Sequence, residues 1–186
     1  FQRPDASHVS VDSTATSLSG YLVDLAFERT RARHWLWGVG FNARSPGFDI
    51  NDAGRMRRAD EIEAGAELTY RETQPGLFQN YSVRAELRGD WNFDGDRLRN
   101  SLEQGGNVTL RSFWRFGLEL DLTPRGLSDT QTRGGPLMGR PAQWGMSANV
   151  NSDFSRRTGY HVFGFFRLDE QDGWFWNLGG GIESKP

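Results

Sequence analysis

Apolar and polar side chains alternate through most of this 186-residue chain. Successive side chains of a β-strand point to opposite faces of a sheet, so this alternation indicates strands with one apolar and one polar face. In the clearest case, Ile62, Ala64, Ala66, Leu68 and Tyr70 alternate with charged, glycine or threonine residues. The pattern recurs and predicts about nine strands, near 21–29, 35–42, 61–71, 81–88, 107–111, 116–123, 143–151, 160–167 and 174–183.

The connections between the predicted strands alternate in length. Those after the first, third, fifth and seventh strands are compact, whereas 45–60, 90–101 and 124–141 are longer. The link after the eighth strand, 169–173, is short and fits this alternation less well. Several strands approach nine to eleven residues, longer than the ~5–6 usual in soluble sheets and suited to crossing a membrane. Outer-membrane barrels also have tight turns at one edge and longer loops at the other.

Aromatic side chains fall at or near the ends of the predicted strands, where amphipathic rings would occupy membrane interfaces. These are Trp35, Tyr70, Tyr81, Trp91, Trp114, Trp144, Tyr160 and Trp174. A soluble two-sheet sandwich alternates in the same way, so alternation alone leaves that alternative open. The fold predicted here is an all-β antiparallel up-and-down meander that forms a transmembrane β-barrel or a segment of one. It covers residues 19–186, and 1–18 form a linker or partial strand.

Composition narrows the range of functions. The net charge of −2 provides no excess positive field for a nucleic-acid backbone. The absence of cysteine excludes disulfides, thiolate metal sites and a cysteine nucleophile. No uncharged apolar run approaches the ~18–20 residues of a membrane helix. Because the chain begins without methionine, we expect it to be a mature protein or an excised fragment, and an end without a terminal aromatic residue also fits an excised fragment.

Charged residues on the polar faces are predicted to line a water-filled lumen and to pair across strands. They are Glu63, Glu67, Arg71, Arg84, Glu86, Arg88, Arg111, Glu119 and Asp121. Arg133 and Arg140 belong to the longest loop, in which Gly134 and Gly135 permit unusual backbone angles. Two interpretations of this loop stay open: it folds inward onto lumen carboxylates, or it contacts a ligand.

Two segments partly match a calcium-binding loop, which alternates short oxygen ligands before a glycine. In the first, Asp90, Asn92, Asp94 and Gly95 fit, but Ser101 stands where a bidentate glutamate is needed. A strand that ends in an Asp-Gly turn explains the same residues. In the second, Asp49, Asn51 and Gly54 fit, Ala53 replaces a ligand and Asp60 ends the motif.

Catalytic interpretations are weaker. His8, His34 and His161 have no metal-ligand spacing. His161 shares a predicted polar face with Ser147, Asn149 and Asn151, so a serine hydrolase inside the barrel is conceivable, although no G-x-S-x-G motif is present. The carboxylates of Glu63 and Glu67 could serve glycoside cleavage, but pairing with nearby arginines is simpler. We predict no catalytic residue, cofactor or metal.

Three stretches together carry a family resemblance: Ser45–Gly54 with Arg57–Asp60; Asn92–Gly95; and Arg133–Met138 with Arg140, Pro141 and Trp144. In their order and spacing the chain resembles the C-terminal barrel region of a bacterial outer-membrane family, domain-of-unknown-function family 5916. Full-length members carry an N-terminal sandwich similar to a carbohydrate-binding module. The resemblance implies an antiparallel barrel, an outer-membrane location and a glycan-related role that belongs to the N-terminal module. Family barrels are larger than this segment could close, so it implies a portion of a longer barrel.

The primary functional prediction is therefore an outer-membrane β-barrel, or a segment of one, that acts as a pore or membrane anchor. Its partners would be outer-membrane lipid and a glycan or small-molecule ligand, and nucleic acid is not expected. The alternative is a soluble all-β carbohydrate-binding domain whose exposed tryptophans stack on sugar rings.

Overall fold

The computed structural model describes residues 3–10, 12–50 and 58–185. These residues form eleven β-strands: β1 (Leu22–Arg29), β2 (Trp35–Arg44), β3 (Glu61–Glu72), β4 (Phe78–Trp91), β5 (Arg97–Leu110), β6 (Arg115–Thr123), β7 (Gly126–Ser128), β8 (Met138–Arg140), β9 (Gln143–Asn151), β10 (Thr158–Asp169) and β11 (Trp174–Ser184). Across these ranges, no helix is long and apolar enough to cross a membrane.

Nine of the strands form one antiparallel sheet in the order β1-β2-β3-β4-β5-β6-β9-β10-β11. Neighbours in the sheet are also neighbours along the chain, except that β6 pairs with β9 across an insert containing the two-stranded β7–β8 hairpin. The predicted all-β meander is confirmed. In the part of the chain that the structure describes, the edge strands β1 and β11 do not pair with each other, so the sheet is open and a closed barrel is not confirmed.

Most predicted strand bounds lie within a few residues of the observed ones, but β4 and β5 are much longer than expected. Each has 14 residues, and only residues 92–96 connect them, so the predicted long loop 90–101 is wrong. The first half of β5 lacks apolar alternation because Asn100 and Gln104 lie on its otherwise apolar side. The backbone of β5 pairs with β4 and β6. This pairing keeps the segment in a strand even though its side chains do not alternate.

The connections emerge at two opposite ends of the sheet. The short-turn end carries residues 30–34, 73–77, 111–114 and 152–157, and the long-loop end carries 45–50 and 58–60, 92–96, 124–142 and 170–173. The brief 170–173 turn is at the long-loop end, as the alternation of the meander requires.

The register aligns apolar positions across the whole sheet. One unbroken row runs Phe27, Val39, Ala66, Leu87, Leu102, Leu122, Trp144, Leu168 and Trp174. We call the side that carries this row the apolar face. The adjacent row, on the polar face, runs Glu28, Gly38, Glu67, Glu86, Glu103, Asp121, Gly145, Arg167 and Phe175.

The apolar face is not covered by the rest of the described chain. Ala43 and Leu98 are the only buried hydrophobic side chains among the described residues. Leu68 and Leu120, near the middle of their strands, expose 46% and 43% of their surface, and Trp176 near the start of β11 exposes 58%. Among the described residues, therefore, no second sheet covers the apolar face as it would in a sandwich.

Candidate functional site on the polar face

Acidic side chains line up in adjacent strands of the polar face. Glu67, Glu86, Glu103 and Asp121 occupy paired positions on β3 to β6. Like charges placed opposite each other destabilise a sheet unless cations compensate. On β4, Arg84 and Arg88 both pair with the buried carboxylate of Glu86. These arginines lie two residues before and two residues after Glu86. The negative charge of Glu86 is therefore compensated by residues of its own strand.

A hollow of about 490 Å³ lies on the polar face between β5, β6, β9, β10 and the 124–142 insert. Its charged lining combines three carboxylates with three guanidinium groups: Glu103, Glu119, Asp121, Arg99, Arg140 and Arg167. Arg167 Nη2 lies 3.9 Å from Oδ2 of Asp121. Carboxylates accept hydrogen bonds, and the planar guanidinium group of arginine donates them in a fixed geometry. This lining can therefore both accept hydrogen bonds from a polar ligand and donate hydrogen bonds to it.

A second hollow, of about 260 Å³, continues toward the short-turn end and shares Glu119 and Ser147 with the first. Its floor is largely uncharged. A Cβ at Gly117 would meet Nδ2 of Asn149 at 2.5 Å and Oδ1 of Asn107 at 2.9 Å. The glycine thus lets two side-chain amides converge over β6.

The 124–142 insert packs against the polar side of β5. A Cβ at Gly126 would lie 2.5 Å from the carbonyl oxygen of Leu98, so β7 approaches the β5 backbone as closely as only glycine allows. Ser128 and Leu98 are almost completely buried at this contact. The Ser128 hydroxyl accepts hydrogen bonds from Arg140 Nη2 at 3.0 Å and from the Gln131 N–H at 3.2 Å.

An ion pair attaches the loop of the β7–β8 hairpin, at Asp129, to the residues that precede β3. The guanidinium of Arg58 pairs with Asp129 of the insert and lies 3.6 Å from Oε1 of Glu61 at the start of β3. The insert is therefore attached through its own carboxylate, which binds an arginine that precedes β3. The two interpretations of this loop, inward folding onto lumen carboxylates and contact with a ligand, stay predictions.

Residues 3–8 pack onto the long-loop end, although the sequence assigned 1–18 only to a linker or partial strand. The Ser7 hydroxyl donates to Oδ1 of Asp94 at 2.8 Å. The two ring nitrogens of His8 lie 2.8 Å from Oδ2 of Asp60 and 3.4 Å from Oδ2 of Asp94. Hydrogen bonds from Ser7, reinforced by His8, lower the pKa of the Asp94 carboxyl.

The same segment also reaches the insert and the β4–β5 turn. Arg3 is almost fully buried, with Nη2 3.8 Å from Oδ2 of Asp96. Asp5 accepts the N–H of Leu137 at 2.7 Å. Three connections that are distant in sequence are thus joined through one short N-terminal segment.

Eight of the nine residues predicted to line a lumen lie on the polar face of the sheet: Glu63, Glu67, Arg71, Arg84, Glu86, Arg88, Glu119 and Asp121. Arg111 does not, because β5 ends at Leu110 and Arg111 lies in the turn that follows. Of the two loop arginines, Arg140 lines the larger hollow. Arg133 is an exposed turn residue with a φ of +52° and is not part of that lining.

The first calcium-like segment forms a turn. Asn92 is fully buried, and its Oδ1 accepts the N–H groups of Asp94 and Asp96 at 3.1 and 2.8 Å. Gly95 takes a φ of +85°, which the tight turn requires. In the second segment, Asn51, Ala53 and Gly54 lie outside the described residues. Within the described ranges, no three His, Asp or Glu side chains are grouped to hold a metal ion.

The structure does not bring His161 and Ser147 together. On β9 and β10, His161 pairs with Asn151 while Ser147 pairs with Phe165. These positions are four residues apart on each strand, which corresponds to about 13 Å. The His161 ring instead lies over Gly181 and is tilted against Phe154.

Several residues of the hollows were not predicted. Arg99 and Glu103 belong to the part of β5 that the apolar pattern did not reveal, and Gln131 belongs to the insert. The alternation of Arg97, Arg99, Ser101 and Glu103 with less polar positions was the available signal. Phe165 lies four residues from His161 and therefore on the same predicted polar face, but its aromatic character did not mark it as a site residue.

The comparisons with known proteins give a family and no function. No curated protein and no solved structure matches the chain significantly. The model of a domain of unknown function, DUF5916, matches residues 2–179. That match covers nearly all of the 186 residues, so the chain belongs to the DUF5916 family.

Proposed function

We propose that this chain is a membrane-spanning segment of an outer-membrane β-barrel, whose polar face lines an aqueous passage narrowed by the 124–142 insert. The observation that carries the proposal is the unbroken apolar row across nine strands, left uncovered by the described residues. Monomeric soluble proteins rarely expose contiguous apolar patches of more than a few hundred Å². Hydrocarbon chains of lipid would cover this face along all nine strands.

Aromatic residues at both ends of the apolar face support a membrane orientation. At the short-turn end, Tyr70 lies between Trp35 and Tyr81, with ring centroids 4.9 and 6.0 Å apart. Trp144 and Trp174 lie at the long-loop end and are exposed. Amphipathic rings favour the level of the lipid headgroups, and barrels carry such girdles at both interfaces.

The separation of the two ends matches a bilayer. Tyr81 and Trp91 are ten residues apart on β4. At ~3.3 Å per residue this is about 33 Å along the strand. With the ~40° inclination of barrel strands it becomes about 25 Å, the height of the apolar band of outer-membrane barrels.

Closure would require strands beyond these nine. Lipid offers no partner for free backbone N–H and C=O groups, so a sheet can span a bilayer only as a closed structure. The free edges of β1 and β11 are therefore the positions where further strands of the complete barrel would pair. The insert against β5 would then lie inside the passage, since it occupies the polar face.

The proposal is tested by producing the complete barrel that contains this segment in a Gram-negative host, and by analysing its membrane fraction and its mobility in SDS gels. We expect it in the outer-membrane fraction, extractable only with detergent. A folded barrel resists SDS until it is heated, so unheated and boiled samples should migrate differently. A detergent-free monomer that unfolds cooperatively would overturn the proposal and favour the soluble carbohydrate-binding alternative.

A further inference from the structure

One region of the otherwise charged and polar face is aromatic. Phe163 and Phe165 on β10 and Phe175 on β11 point to the same side as Arg167, Asp121 and Glu119. They are the phenylalanines of that face within the described strands, and they occupy two adjacent strands. Phe163 and Phe175 expose 46% and 56% of their surface.

The flat faces of these rings are accessible on the polar face. A Cβ at Gly179 would lie 2.7 Å from Cε1 of Phe163, so the ring lies down over the glycine on β11 and keeps its other side toward the passage. The centroids of Phe165 and Phe175 are 6.0 Å apart. The Arg167 guanidinium lies 5.1 Å from the centroid of Phe165 and covers part of that ring.

Uncharged amides flank these rings. Asn149 is paired with Phe163, and Asn177 is paired with Phe165 from the other side. Asn149 and Asn107 also converge over Gly117 in the smaller hollow. Phe165 and Ser147 lie at the edge of the larger hollow. A continuous track of aromatic faces and amides thus leads from the short-turn half of the sheet into the charged hollow.

We infer that this track binds neutral oligosaccharides. A pyranose ring has an apolar C–H face that stacks on an aromatic ring, and hydroxyl groups that both donate to and accept from amides. Phe163 and Phe175 supply the faces, and Asn149 and Asn177 supply the amides. The inference rests on the proposed function, because the rings line the passage only if the polar face encloses water.

The charges near the track give no preference for an anionic sugar. The larger hollow at its end has three carboxylates and three guanidinium groups, which balance each other. The carboxylates of Glu119 and Asp121 can accept hydrogen bonds from sugar hydroxyls, whereas the charged groups of a uronate would lose hydration without a net gain in charge pairing. The preferred ligand class is therefore a neutral hexose or pentose oligomer.

The test is calorimetric titration of the detergent-solubilised complete barrel with maltohexaose, cellohexaose and xylohexaose, and with a galacturonate hexamer as the anionic comparison. We expect at least one neutral hexamer to bind and the galacturonate hexamer to bind more weakly. Phe163→Leu and Phe175→Leu keep an apolar side chain but remove the flat ring. Each should weaken binding by about tenfold, the equivalent of one aromatic contact.

The matched control is Phe166→Leu, the same change on the apolar face of the same strand. It should leave the sugar affinity unchanged. Heat-modifiable gel mobility of every variant shows whether the barrel has formed, so a failure of the barrel is distinguished from a failure of the sugar track. Absence of binding in a heat-modifiable protein, preference for the galacturonate hexamer, retained affinity in Phe163→Leu and Phe175→Leu, or equal loss in Phe166→Leu would each overturn the inference.

Discussion

The two faces of this sheet are formed by the same strands but differ in how their side chains are compensated or covered. On the polar face, arginines and carboxylates compensate each other within the chain, as Arg84 and Arg88 do around Glu86. On the apolar face, Leu87, Leu102 and Leu122 are paired with one another across three neighbouring strands, and none of them is paired with a charged residue. The described residues thus compensate the charges of the polar face but leave the apolar face uncovered, and under the proposed function lipid covers that face.

The energetic scale of that requirement is large. Fully burying a leucine or phenylalanine side chain stabilises a protein by about 1.5–3 kcal/mol relative to leaving it in water. Such residues continue across nine strands of the apolar face, so water is a poor solvent for this face as a whole.

A charge on the apolar face should have the largest effect. Leu120 lies in the middle of β6 and is 43% exposed. Leu120→Arg should destabilise the membrane-inserted protein by about 2–4 kcal/mol, the cost of arginine on the lipid face near the bilayer centre. Urea unfolding in lipid vesicles measures the loss.

The control places the same residue on the other face. Asn107 is exposed on the polar side of β5, and Asn107→Arg should change the stability by much less. Equal destabilisation by the two arginines would contradict the assignment of lipid and water to opposite faces.

The next effect concerns the insert that covers part of the polar face. Gly126→Ala places a Cβ against the carbonyl oxygen of Leu98 and should displace β7 from β5, with an overpacking cost of about 1–3 kcal/mol. Trypsin should then cleave faster after the exposed Arg133. In the same hairpin, a Cβ at Gly139 meets nothing within 4 Å, so Gly139→Ala should leave the cleavage rate unchanged.

A smaller effect is expected at the long-loop end, where Ser7 holds Asp94. The folded protein lowers the pKa of Asp94, so this attachment contributes fully above the ordinary carboxyl pKa of about 4 and is lost as the pH falls below it. Because the chain has no cysteine, a nitroxide on Ser10→Cys reports this segment alone. The mobility of the nitroxide should rise as the pH falls from about 4 through the lowered pKa of Asp94.

Two substitutions sharpen the pH experiment. Asp94→Ala should make the nitroxide mobile at neutral pH. Asp12 also has a lowered pKa, caused by hydrogen bonds from Thr14 in the same segment, and Asp12→Ala should retain the pH response. An identical response in the Asp94→Ala protein would show that another group holds the segment.

The sheet was largely predictable because the apolar face imposes a period of two on its strands. Glu61–Glu72 is an example: every second residue from Ile62 to Tyr70 is apolar or aromatic, and the observed strand differs by one residue. The polar-face residues follow from the same parity. The first half of β5 escaped prediction because Asn100 and Gln104 interrupt the apolar side, while hydrogen bonds to two neighbours maintain the strand.

The site was less predictable because it depends on contacts between distant segments. The pairing of Arg58 with Asp129 joins residues 71 positions apart, and the contact of Ser7 with Asp94 joins residues 87 positions apart. Neither leaves a periodic signal. The close approach of Gly126 to Leu98 likewise becomes visible only when the insert is placed against β5.

The open edges of the sheet have a consequence for handling the protein in the laboratory. The outer margins of β1 and β11 offer rows of backbone groups to any passing strand. When β1 of one copy joins β11 of the next, the contact is head-to-tail and need not close, so repetition builds fibres. Concentrated preparations without surfactant should therefore gel or bind amyloid dyes, and blocking either margin with a proline should slow the process.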